Sequence, residues 1–106
     1  MIELKDKRAL ILAPHTDDGE LGCGATISKM VEENVEVYYM AFSSCEETLP
    51  DSCDKDELKK ELHAAMKILG VKKENIIIKN YPVRHFKEHR QEILQGIIDL
   101  KETINP

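Results

Sequence analysis

The residues best suited to chemistry stand together in one short stretch, Pro14-His-Thr-Asp-Asp18. His15 and Asp18 are three positions apart in a turn. At that spacing an imidazole and a carboxylate can converge on one cation, and such a donor pair suits zinc, iron or manganese. Asp17 would project differently from Asp18 and stay available as a base. The same residues admit a plainer reading, in which Asp18 caps the following helix, Asp17 is solvated and His15 is incidental.

These groups must be held by the elements around them. The run Ala9 to Ala13 has the length and composition of a strand buried on both faces, and it breaks at Pro14. Polar groups at the C-terminal end of such a strand lie where open α/β sheets bind their ligands. A helix is expected over Leu21 to Glu33, with Glu20 near its positive end, Cys23, Ile27, Met30 and Val31 on one face, and Asn34 as a left-handed stop. A second strand, Val35 to Phe42, should end beside the acidic turn, because consecutive parallel strands present their C-termini on one edge. The polar stretch Cys45 to Lys55, broken by Pro50, reads as a loop. A helix over Asp56 to Leu69 follows, with Leu58, Leu62, Ala65, Met66 and Leu69 as its buried stripe and Gly70 as its stop. Ile76 to Ile78 reads as a third strand and Asn80 to Arg90 as a turn-rich segment. A last helix, Lys87 to Ile104, should turn Ile93, Ile97, Leu100 and Ile104 inward. The alternation of strand and helix implies a Rossmann-like, three-layer α/β/α fold with a parallel sheet and right-handed crossovers.

Length and charge narrow the class. The 106 residues allow one small domain with a modest core. Fifteen Lys and Arg against 20 Asp and Glu, a net charge of -5, argue against a nucleic-acid partner. No apolar run reaches the length of a membrane span, and residues 1–8 lack the apolar core of a leader. Cys23, Cys45 and Cys53 show no metal-type spacing and read as reduced thiols. A cytoplasmic protein is expected.

The stretch Ala13-Pro-His-Thr-Asp-Asp-Gly-Glu-Leu-Gly-Cys-Gly-Ala-Thr26 resembles the signature of the LmbE/PIG-L family of zinc-dependent de-N-acetylases. Thr16 stands where the family usually has Pro, and Gly19 where it usually has Glu. Glu61-Leu-His-Ala-Ala-Met-Lys-Ile-Leu-Gly-Val71 is similar to a second family segment, although Leu58 replaces an Arg often found there. The resemblance implies that His15 and Asp18 are zinc ligands and Asp17 the general base. It implies a small-molecule substrate of the N-acetylglucosamine type, with Arg84 as a candidate substrate contact, set against a solvated helix start at Arg84, His85, His89 and Arg90. In the family the first strand lies in the middle of the sheet, and the third ligand comes from a segment beyond the equivalent of Pro106. The 106 residues are therefore expected to form the N-terminal part of such a domain, to leave one side of the first strand without a partner strand, and to bury that edge by self-association or by an irregular segment of their own.

Two other classes fit part of the pattern. A receiver-like module also carries paired acids after its first strand, but it requires an Asp at the end of the third, where Lys79-Asn80 stand. A nucleotide-binding module would use Gly19, Gly22 and Gly24, yet these are not spaced Gly-x-Gly-x-x-Gly, and Asp17 and Asp18 would repel a pyrophosphate.

Overall fold

The computed structural model describes residues 7–46 and 49–106; the first part of the stretch read for a leader, and residues 47 and 48 of the expected loop, lie outside them. Three parallel strands, β1 (Arg8–His15), β2 (Glu36–Ser43) and β3 (Ile76–Ile78), form one sheet in the order β1-β2-β3. Helix α1 (Asp18–Glu32) joins the first two strands, and α2 (Glu57–Leu69) precedes the third. A short 3-10 turn at Phe86–His89 leads into α3 (Arg90–Ile104).

The two-residue period of the strands sorts the core into two faces. Ala9, Ile11 and Ala13 of β1, Val37, Tyr39 and Ala41 of β2, and Ile76 and Ile78 of β3 pack with Ile27, Met30 and Val31 of α1 and Leu62, Met66 and Leu69 of α2. The other face meets α3. Pro14 and Phe42 line a cavity with Ile93 and Ile97, and Arg8 Nη1 donates to the Ile104 carbonyl at 2.6 Å. Helices thus cover both faces, in the three-layer α/β/α arrangement expected.

Several boundaries differ from the sequence reading, each for a physical reason. Strand β1 continues through Pro14, and His15 pairs in register with Ser43. A proline is tolerated there because β1 is an edge strand among the described residues and needs no N–H on that side. As expected for these 106 residues, one side of β1 has no strand partner among the described residues, and β2 lies between β1 and β3. Helix α1 starts three residues early, with Leu21 N–H donating to Asp17 O at 3.1 Å, so that Asp18 lies in its first turn. Helix α3 starts late, because successive i to i+3 bonds, from His85 N–H to Pro82 O and from Glu88 N–H to His85 O, hold the chain in tighter turns. The stops at Asn34, with φ 66°, and Gly70, with φ 89°, are as expected, and α3 likewise ends on a left-handed residue, Asn105, with φ 51°.

Candidate active site

The site is assembled at the C-terminal edge of β1. His15 is the last residue of the strand and Asp18 the first of α1, so the turn between strand and helix folds them against each other. His15 Nδ1 lies 3.0 Å from Asp18 Oδ2, and the same oxygen accepts a hydrogen bond from the His15 backbone N–H, also at 3.0 Å. Both side chains remain open to solvent, at 36% and 41% exposure, enough for a ligand to reach them. With Nδ1 protonated the contact is a charge-assisted hydrogen bond. With Nδ1 bare, an imidazole nitrogen and a carboxylate oxygen stand side by side, which is the donor chemistry of a transition-metal site. Their separation is close to the edge of about 3.3 Å in a tetrahedral shell with bonds of about 2.0 to 2.1 Å. The pair therefore fits two positions of a metal shell. Among the described residues, no group of three or more His, Cys, Asp or Glu side chains is gathered to hold a metal.

Asp17 occupies the position before α1, where an acidic side chain ordinarily accepts from a free N–H of the first turn. Here it makes no such bond. Its φ of −112° and ψ of −8° differ from the extended backbone usual for a capping residue, and the residue is exposed. The Gly19 N–H donates instead to the Tyr39 hydroxyl at 2.9 Å, and that hydroxyl donates to Glu20 Oε1 at 2.7 Å. Tyr39 is fully buried in β2. Burial, and then the hydrogen bond to Glu20, raise its ionisation well above the ordinary tyrosine range. The approach of the phenol requires glycine at 19, since a Cβ there would lie 2.2 Å from Tyr39 Cε2.

The wall of the site comes from the turn-rich segment and the end of β2, both expected near it, through contacts that the sequence did not show. The Phe86 ring stacks on His15 with centroids 6.0 Å apart and planes at 26°. That contact brings the turn-rich segment to the site and places Arg84, which is exposed, two residues from it. The imidazoles of the segment pair with carboxylates nearby in sequence: His85 with Glu88 at 2.9 Å and His89 with Glu92 at 3.4 Å. The buried Ser43 and Ser44 follow from β2. Ser44 Oγ donates to Asn80 Oδ1 at 2.8 Å, and Asn80 Nδ2 donates to Glu46 Oε2 at 2.9 Å, tying the ends of β2 and β3 together. Tyr39 was hidden because a tyrosine in an apolar strand reads as core. The signal that would have found it is Gly19, a gap one residue past the paired acids.

The model of the PIG-L family, described as GlcNAc-PI de-N-acetylase, matches residues 10–106. No curated protein sequence gives a significant match. Among solved structures, the chain resembles N,N'-diacetylchitobiose deacetylase from Pyrococcus horikoshii in complex with its inhibitor MPG, at 32% identity and a TM-score of 0.63, over 72% of this chain and 30% of that one. It also resembles the conserved protein TT1542 from Thermus thermophilus, at 27% identity and a TM-score of 0.72, over 95% of this chain and 43% of that one. GalB, the 4-carboxy-2-hydroxymuconate hydratase from Pseudomonas putida, shares the fold at 20% identity and a TM-score of 0.71, over 94% of this chain and 44% of that one. The chain thus spans less than half the length of each of these structures. With the family match running from β1 to Pro106, the chain belongs to the PIG-L family.

Proposed function

We propose that this chain carries the catalytic turn of a metal-dependent de-N-acetylase, which removes the N-acetyl group of an N-acetylglucosamine-type amino sugar or its conjugate in the cytoplasm. The observation that carries the reading is the 3.0 Å approach of His15 Nδ1 to Asp18 Oδ2 beside an uncommitted Asp17. Family membership and the likeness to a deacetylase of N,N'-diacetylchitobiose support the chemistry and the sugar class.

His15 and Asp18 would hold the metal, zinc or another divalent transition ion. When bound it would polarise the amide carbonyl and acidify a water. Asp17 accepts the proton of that water as its oxygen forms a bond to the carbonyl carbon. The C–N bond then breaks, the nitrogen takes the proton that Asp17 accepted, and acetate and the free amine leave. Phe86 holds the imidazole in place by stacking. Arg84, on the adjoining turn, offers a rigid donor fork to a hydroxyl-rich or anionic part of the substrate.

Zinc titration calorimetry tests the ligand assignment. The wild-type chain should bind Zn²⁺ weakly, His15→Ala should abolish the heat, and Asp18→Asn should reduce the affinity. Unchanged zinc binding in His15→Ala would overturn the assignment.

A further inference from the structure

We propose that Tyr39 is a positioning residue that replaces Asp17 as the cap of α1 and so leaves the Asp17 carboxylate uncommitted. An acid immediately before a helix is normally consumed by that helix, because the N–H groups of the first turn have no partner of their own. The Gly19 N–H is one of these. In this chain it is satisfied from the sheet, by the Tyr39 hydroxyl at 2.9 Å, and Asp17 makes no capping bond. Three features hold the exchange in place. Tyr39 is fully buried, so its ring has no alternative position in solvent. Its hydroxyl proton is taken by Glu20 at 2.7 Å, which turns an oxygen lone pair toward Gly19. Residue 19 has no Cβ, which would otherwise sit 2.2 Å from the ring. The consequence for catalysis rests on the reading of Asp17 as the base, whereas the exchange of caps does not.

The test compares Asn with Ala at position 17, since Asn caps as well as Asp while Ala cannot, and neither carries charge. In the wild-type background Asp17→Asn and Asp17→Ala should melt at the same temperature. In a Tyr39→Phe background the Gly19 N–H needs a new partner, and the Asn variant should melt about 4 to 8 °C above the Ala variant, the shift that loss of one cap produces in a domain of this size. An Asn advantage of that size in the wild-type background would overturn the proposal, and it can be read even where Tyr39→Phe folds poorly. Equal melting of Asn and Ala in both backgrounds would also overturn it, because Tyr39 would then be only a packing residue. Turnover separates this inference from the functional reading. Tyr39→Phe should lower kcat for N-acetyl hydrolysis with KM held. A cap exchange seen in melting with kcat unchanged would remove Asp17 as base and leave the cap assignment standing.

Discussion

At the residue scale, what distinguishes this site is which atoms are already satisfied. Asp18 Oδ2 is engaged with both His15 nitrogens that face it, while Asp17 makes no capping bond. Adjacent carboxylates are thereby left with different hydrogen bonding by their backbone positions. On the proposed deacetylase reading, Asp17→Asn should therefore retain zinc in a calorimeter, and in a protein that carries the whole family domain it should lose about 10² to 10⁴-fold in turnover, since an amide cannot accept a proton from water at neutral pH. Loss of zinc in Asp17→Asn together with its retention in Asp18→Asn would show the two roles to be reversed. Glycines in the same helix make a second comparison. Gly19→Ala drives a methyl into the Tyr39 ring and should cost about 1 to 3 kcal/mol in urea denaturation. Gly24→Ala, with nothing within 4 Å of its Cβ, should be neutral or stabilising by up to about 1 kcal/mol through helix propensity.

At the element scale, β2 ties the site to the core, because its buried Tyr39 reaches the first turn of α1 and its end at Ser43 lies in register with His15. The buried phenol also makes stability depend on alkaline pH. Its folded ionisation is raised above the ordinary value of 10.0, first by burial and then by Glu20. The folded chain therefore holds this proton when the unfolded chain has released it, and the contribution is intact below about pH 10 and lost as pH rises above it. Urea midpoints measured between pH 9 and 11 should fall, and should fall less in Tyr39→Phe; equal slopes would contradict the burial of the hydroxyl. Much of this frame was legible in the sequence. The apolar runs at 9–13 and 76–78, the stripe from Leu58 to Leu69 and the stops at Asn34 and Gly70 each follow from local pattern and all appear in the fold, although the first run is not buried on both faces, because β1 is an edge strand among the described residues and Leu12 stays exposed. The early start of α1 and the stacking of Phe86 on His15 were not legible, because both depend on partners distant in the chain, Tyr39 for the first and the strand end for the second. The approach of His15 to Asp18 was legible because spacing alone brings them together; the contact of Tyr39 with Gly19 needed the packing of a strand against a helix terminus.

At the scale of the whole molecule, the sheet is unevenly covered. Strand β2 is buried along nearly its whole length, whereas β1 among the described residues has a strand on one side only. Helix α3 lies along β1, with Ile104 at Arg8 and Ile93 and Ile97 beside Pro14. Leu12 on the strand stays 46% exposed, and Leu94 and Ile98 on the helix 48% and 39%. A strand edge with open backbone groups and apolar side chains at hand is a template for pairing with another chain. A second copy of the same 106 residues offers an identical edge, and a twofold axis beside β1 would join the two and cover Leu12 on both. Self-association of the chain in solution is the expected outcome, to be read as a mass in light scattering that rises with concentration. Leu12→Lys places a charge on that edge without touching His15, Asp17 or Asp18, and should shift the population toward monomer at equal concentration. A monodisperse wild-type monomer with rapid amide exchange at Leu10, Ile11 and Leu12 would show that the edge remains open in water and that this chain does not pair through it.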